Sequence, residues 1–351
     1  AIGLSLCLTS VASHSLASEI QNMAEPVSPS AAERGSQSSL QQQKQQQKKQ
    51  QQQIEVLSIV GQRPRLDTTS GSVHIVDEAQ LERFEFDDVH RVLQSVPGVY
   101  IREEDGFGLR PNLGLRGATT ERSAKVALME DGVLLAPAPY AAPAAYFFPL
   151  MSRMTSVEVF KGPASIGYGP NTVGGAINLV SRPIAQQYAE GYSGGLDIGV
   201  GGLGYQKQHG HVSKGVGELA MSLEGLHLSA DGFKSLPGGQ DTGFDKNEYL
   251  AKFGYAPSDS QYEQLVTLKL GYADEESNET YLGLTDSDFA QAPHQRYAAS
   301  QLDRMDWRHQ QYQLSHFIEF SEDLSLQTQL YHRRLQRDWH RLNSFSAIFT
   351  F

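Results

Sequence analysis

The sequence predicts a small α+β domain followed by an all-β region of long alternating strands, and three observations carry that prediction. Between residues 54 and 183, short β-branched runs alternate with two segments of helical spacing. After Pro183 the helical spacing ends and long alternating segments begin. No apolar run approaches the roughly 18 to 20 residues that a membrane helix needs, so any crossing of a membrane must use strands.

Taken in order, Ala1 to Ala12 form an apolar stretch too short to span, and Ser15-Leu16-Ala17 supplies a small-x-small cleavage pattern. Residues 1–17 therefore read as the remnant of a secretory signal peptide. The only cysteine, Cys7, lies inside it, so a cleaved chain has no thiol or disulfide chemistry. Leu4-Ser5-Leu6-Cys7 also resembles a lipoprotein signal, but Leu6 is bulky where such signals want a small residue. Residues 18–53 are polar, with ten Gln and three Lys over 41–53, and have nothing to pack as a core. They form a flexible linker.

At Ile54 the composition changes to Ile54-Glu55-Val56-Leu57-Ser58-Ile59-Val60-Gly61, a run that wants to be extended. A domain over 62–183 follows. Ser72 to Val76 reads as a strand, after which Asp77 caps a helix and Gln80 reaches back to it. Val89, Val92, Leu93 and Val96 have helical spacing, stopped by Pro97-Gly98. Val99-Tyr100-Ile101, Leu113-Gly114-Leu115 and Val126 to Met129 are strands, the last turned by Glu130-Asp131-Gly132. Ser156 to Phe160 and Ala176 to Val180 are two more, separated by the glycine-rich stretch from Gly162 to Gly175. Short strands with two helices make an α+β domain.

Residues 184–351 read as strands with one apolar and one polar face. Leu196, Ile198 and Val200 alternate with Asp197, Gly199 and Gly201; Val266, Leu268, Leu270 and Tyr272 alternate with Thr267, Lys269 and Gly271. Tyr312, Leu314, Ile318 and Phe320 repeat the pattern, with one lapse at His316. Lipid outside and water inside require this, although a soluble sandwich would alternate too. The formal charge of −11 argues against a nucleic-acid partner, which calls for a basic face.

The run from Ser156-Val157-Glu158-Val159-Phe160 through Lys161-Gly162-Pro163, Tyr168-Gly169 and Gly174-Gly175-Ala176-Ile177-Asn178 resembles the end of the plug domain of TonB-dependent outer-membrane receptors. Val96-Pro97-Gly98-Val99, Leu115-Arg116-Gly117 and Asp131-Gly132-Val133 resemble the same family in the same order. The resemblance implies an α+β plug domain followed by the first strands of an antiparallel transmembrane β-barrel, incomplete here. Family members use about 22 strands of roughly 10 residues, whereas 351 − 183 leaves 168 residues after Pro183. A phosphate loop fails as an alternative, because Tyr168 stands where a lysine is needed and Gly167-x-Gly169 lacks a third glycine at Thr172.

The same resemblance implies a Gram-negative outer-membrane location, contact with outer-membrane lipid, and energy from TonB with its ExbB/ExbD system. Residues 54–61 then become a TonB box, with Glu55, Val56, Leu57, Ser58, Ile59 and Val60 adding as a strand to the edge of TonB's sheet. Pro137-Ala138-Pro139-Tyr140, Tyr281 to Thr285 and Arg296-Tyr297-Ala298 look most like receptors for ferric citrate. An anionic ferric chelate would be the transported ligand, and no permanent cofactor is implied. Such a ligand suits bidentate guanidinium groups, so Arg110 and Arg116 in the plug and Arg296 and Arg304 on a segment over 275–305 are candidates, with Tyr140 packing on the ligand. Tyr146 and Phe147 could do the same or pin their loop. His209-Gly210-His211 puts two imidazoles on one strand face, but no third metal ligand is apparent, and polar wall residues are the expectation. No nucleophile, base and orienting group stand together, so the chain reads as a transporter and not an enzyme. Uptake of another nutrient such as cobalamin or a sugar, a surface-binding adhesin and a soluble hydrolase are the competing readings; an energy-coupling strand ahead of a plug argues against the last two.

Overall fold

The computed structural model describes residues 2–10, 71–135, 147–169, 172–184, 191–321 and 324–344. The segment Glu55 to Val60 and the loop carrying Tyr140 and Tyr146 lie outside the described residues. β1 (Ile2–Ser10) pairs antiparallel with the outer edge of the last strand of a large sheet described below.

An inner α+β domain comes next. β2 (Ser72–Val76) leads into α1 (Glu78–Phe84), whose start is fixed as expected: the Asp77 carboxylate accepts from the Gln80 amide at 2.9 Å, and the Gln80 side chain accepts from the Asp77 amide at 3.2 Å. The second helix, α2 (Val89–Leu93), is shorter than its apolar spacing predicts. Val96 is buried, but on the turn that Pro97-Gly98 imposes after the helix. β3 (Val99–Arg102) and β4 (Asn112–Leu115) form a hairpin of their own.

β5 (Val126–Glu130), β6 (Val133–Leu134), β7 (Met154–Lys161) and β8 (Gly175–Ser181) join β2 in a five-stranded sheet of order β2-β7-β8-β5-β6. β5 and β8 are parallel, and the remaining neighbours antiparallel. Asp131 and Gly132 both have positive φ, 48° and 74°, the pair of values that a tight two-residue hairpin turn demands between β5 and β6. The β-branched and leucine positions of this sheet pack against α2 to form the core, with Val89, Leu93, Leu113, Leu115, Val157, Val159 and Ile177 fully enclosed.

The outer layer is one long succession of strands: β9 (Gly191–Val200), β10 (Gln206–Val216), β11 (Leu219–Ala230), β12 (Phe244–Tyr255), β13 (Glu263–Ser277), β14 (Arg304–Ser321) and β15 (Leu324–His340), antiparallel from β10 to β15. From β10 to β15 each strand pairs with the next in sequence. β9 flanks β10, with Asp197 on Lys207 at 2.8 Å and Lys214 donating to the Tyr192 hydroxyl at 2.9 Å. Connections at one end are short, as at 217–218; those at the other, 231–243 and 278–303, are long. The second long connection holds α3 (Asp286–Gln291), capped by Thr285, so the segment expected to be loop over 275–305 is in fact strand at both margins.

Alternation now has a physical meaning. Thr267, Lys269, Ala273 and Glu275 on β13 are buried against the inner domain, while Leu268 and Tyr272 face outward. His316, the lapse on β14, also has outward parity. Its Nε2 lies 3.0 Å from Gln264 Oε1, so this polar ring on the apolar face is partnered.

Candidate functional site

The inward parity that buries Thr267 also turns Lys246, Glu248 and Lys252 of β12, and Lys269 and Glu275 of β13, toward the inner domain. Charge buried this way must be paired to be tolerated. The inner domain supplies partners from Glu130 and Asp131 at the β5 turn and from Arg153 just ahead of β7. Arg153 donates through both terminal nitrogens to the two Glu130 oxygens, at 2.7 and 3.1 Å, and through Nε to Glu248. Lys269 donates to Glu130 at 2.6 Å and to Asp131. Lys252 reaches the Ser181 hydroxyl at 2.7 Å and the Arg182 carbonyl at 2.6 Å. Lys246 donates to the Phe148 carbonyl at 2.6 Å and faces Glu275 at 3.5 Å. Burial opposes ionisation of Glu130, yet Arg153 and Lys269 outweigh it and hold that carboxyl well below the usual range. For Asp131 burial is likewise outweighed, by Lys269 and Lys252.

Nearer the long connections the contact becomes apolar. Leu109 and Leu150 of the inner domain pack on Leu226, Leu228, Ala230 and Phe244. Phe147 stacks on His309 at 3.9 Å and meets Trp307 edge-on at 5.4 Å, so it pins its segment to the wall. Asp87 forms a further tie, accepting from the Tyr205 hydroxyl and lying 3.4 Å from Lys207.

Of the arginines expected to meet ligand, Arg110 is buried with its fork committed to Glu275 at 2.8 Å and Glu279 at 3.3 Å. Lys234 reaches the same Glu279 at 2.9 Å. Burial pushes the Glu279 carboxyl up, and Arg110 and Lys234 offset that only in part. Arg296 donates to the carbonyls of Pro293 and Gln295 at 2.9 and 2.8 Å, while its amide ties the two long connections together through the Ser235 carbonyl. Arg116 does not join them. It has φ of 50° and lays its guanidinium over Gly162, where any Cβ would stand 2.4 Å from Nη1. Arg304 opens β14 with outward parity, paired with Glu276 at 2.7 Å, and so stands apart from the inward group.

Sequence reasoning missed what surrounds Arg110. A cavity of about 60 Å³ is lined by Glu104, Arg110, Ser277, Thr280, Tyr281 and Trp339. Arg341 lies 3.9 Å over the Trp339 ring and 4.1 Å over Tyr281. It also missed the inward charges, whose signal was present: Lys246, Glu248 and Lys252 recur at alternate positions of one strand. A third miss is Glu224 on β11, which brings a carboxylate 2.8 Å from His209 Nε2.

Residues 65–176 match the family model described as the TonB-dependent receptor plug domain. Among solved structures, the chain is similar to the ferric citrate transporter FecA in its unliganded form, at 18% identity and a TM-score of 0.62, over 80% of this chain and 42% of that one. It is similar to the ferric yersiniabactin uptake receptor FyuA from Yersinia pestis at 20% identity and a TM-score of 0.60, over 77% and 42%. A third likeness is to the ferric-catecholate import receptor Fiu from E. coli K12, at 15% identity and a TM-score of 0.59, over 79% and 40%. The chain thus spans about two fifths of the length of these receptors, and at such identities the likeness speaks for the fold.

Proposed function

We propose, for a chain that carries a TonB-dependent receptor plug domain against the opening strands of that family's barrel fold, that it serves in outer-membrane uptake of an anionic ferric chelate, with ferric citrate as the ligand. The observation that carries this reading is the paired ionic contact between plug and wall. A plug that must let cargo pass cannot be sealed in by apolar burial alone. Buried ion pairs contribute little net stability over well-packed apolar residues, yet they fix register. Once water enters, each partner can be hydrated in place of its ion pair, so a pull on the plug meets a contact that can be remade.

The pull would come through Glu55 to Val60, added as a strand to TonB and joined to the plug by the chain up to Ser72. ExbB/ExbD would energise TonB from the inner membrane. The chelate would be held at the long-connection end, where Arg296, whose side chain among the described residues donates only to backbone carbonyls, stands with the Tyr281, Trp339 and Arg341 cluster, Arg110 and Lys234 being held by Glu275 and Glu279. The three receptors named above carry ferric chelates by name, ferric citrate, ferric yersiniabactin and a ferric catecholate, which supports a chelate in preference to a sugar or cobalamin.

The test is uptake of radiolabelled ferric citrate by a Gram-negative host without its own receptor for it, with and without functional TonB. Uptake only in the TonB-bearing host is expected. Uptake of a different ferric chelate would move the ligand assignment, and TonB-independent uptake or none at all would overturn the transport reading.

A further inference from the structure

We infer that the inner face of the wall holds a metal site, in which His209 and His211 of β10 and Glu224 of β11 bind one divalent transition-metal ion of the zinc class. His211 and Glu224 are direct cross-strand partners, and His209 lies two residues along the same face, so the sheet itself brings three donors together. Their ligand atoms lie within 4.8 Å of one another, and His209 Nε2 is 2.8 Å from Glu224 Oε1. A tetrahedral ion with bonds of about 2.1 Å holds its donors roughly 3.4 Å apart, so rotamer adjustments on the order of an ångström close the site. His209 and Glu224 are each 7% exposed, which restricts water around the ion without shutting it out at His211, which is only partly buried.

A second feature points the same way. Gly195 on β9 stands opposite the His211 ring, and a Cβ there would come 2.7 Å from His211 Cε1. Any other residue would displace the imidazole from its two neighbours. A plain hydrogen-bonded His209 and Glu224 pair accounts for two of the three groups and leaves this accommodation of His211 without a purpose. The neighbouring cations are engaged elsewhere: Arg182 pairs with Glu78 at 2.9 Å, and Lys252 donates to Ser181 and the Arg182 carbonyl.

Two imidazoles and a carboxylate select against Mg²⁺ and Ca²⁺, which take oxygen donors, and favour Zn²⁺ and its first-row neighbours. Three protein ligands leave a fourth position for water or for a donor from the plug, whose Arg182 and Glu78 border the site. The site needs nothing from the transport reading and stands or falls separately from it.

The experiment uses tag-free protein in detergent micelles, stripped with a chelator, titrated with Zn²⁺ by calorimetry and with Co²⁺ by visible absorption. One ion per chain is expected, with the Co²⁺ spectrum of a four-coordinate site. His211→Ala, which leaves the His209 and Glu224 pair intact, and Glu224→Gln, which keeps its volume, should each weaken Zn²⁺ binding by at least about tenfold, the loss that even an outer-shell partner can produce. His227→Ala, on the outward face of β11, should bind as the parent does. Absence of stoichiometric binding, equal affinity in all three variants, or displacement by excess Mg²⁺ would each overturn the site.

Discussion

Replacing Arg153 by methionine tests the ionic contact at its most buried point. The Arg153 side chain is 4% exposed, and its partners Glu130 and Glu248 are 0% and 3% exposed. The substitution keeps an unbranched chain of similar length and leaves two carboxylates without their shared fork. Breaking a buried pair from one side costs about 3 to 5 kcal/mol. Glu130 retains Lys269 at 2.6 Å and Glu248 retains the Leu150 amide at 2.8 Å, which places the expected cost at the lower end, about 3 kcal/mol. That corresponds to roughly a 150-fold change in an opening equilibrium. Hydrogen exchange of the β5 and β7 amides in micelles, under conditions where exchange follows opening, should accelerate by about that factor. A second change, Glu130→Gln in the Arg153→Met background, removes a buried charge that has lost one of its two cationic partners and should recover part of the loss.

Acidity supplies a further check with a fixed sign. The Glu130 carboxyl is held well below its unfolded value of 4.5, so its contribution is complete above that pH and is lost as pH falls through the lower folded value. Arg153→Met removes much of that depression, so the advantage of the parent over the variant should narrow as pH drops below 4.5. A change in exchange under about fivefold at neutral pH, or a gap that widens on acidification, would refute the reasoning.

Gly175→Ala should loosen the inner sheet by about 1 to 3 kcal/mol, read as lost protection in β8, because a Cβ at φ 149° would lie 2.4 Å from a Leu115 methyl and 2.5 Å from the Phe160 carbonyl. If Glu55 to Val60 add to TonB as proposed, Val56→Pro should reduce ferric citrate uptake to background while leaving surface binding intact, because proline removes a backbone donor from that segment; normal uptake would remove Glu55 to Val60 from that role. Arg296→Ala should weaken ferric citrate binding in calorimetry by about tenfold or more, with partial rescue in Arg296→Lys, since a charge-assisted bond is worth about 1.5 to 3 kcal/mol and lysine lacks the fork. Arg304→Ala, on the outward face, should leave affinity within about twofold, and the reverse ranking of these two arginines would relocate the binding site.

The fold was legible where a residue's own chemistry settles its surroundings. Asp77 and Gln80 needed nothing distant to form their reciprocal cap, and Asp131-Gly132 needed only the left-handed φ values of a tight turn. Strand parity on β13 followed from Leu268 and Tyr272 set against Thr267 and Lys269. What sequence could not supply was pairing at a distance. Arg153 and Glu248 are 95 residues apart and Lys269 and Glu130 are 139 apart, so nothing local marks them as partners. The same holds for the binding residues. Arg110 carried the right charge for an anion, but Glu275, 165 residues later, occupies its fork. His209 and His211 lacked a third donor in sequence because Glu224 becomes adjacent only when β10 pairs with β11. α2 was overextended because Val96 satisfies helical spacing while being buried by a turn.

The entry of the chain into the inner sheet has a mechanical corollary. A tug arriving upstream of Ser72 first meets β2, a strand of five residues that, among the described residues, pairs with β7 alone. Beyond it comes α1, which has no buried residue, and Val76 is the one side chain buried between residues 72 and 88. Peeling that stretch would release roughly 55 Å of contour while surrendering little core. The first firm anchorage is Asp87, tied to Tyr205, Lys207 and the Ser152 hydroxyl, with the enclosed Val89 directly behind it. The domain therefore behaves as a compliant leader spliced to a stiff remainder. A force-extension trace taken from its amino-terminal side should show one low-force step of about that length before a second, steeper rise.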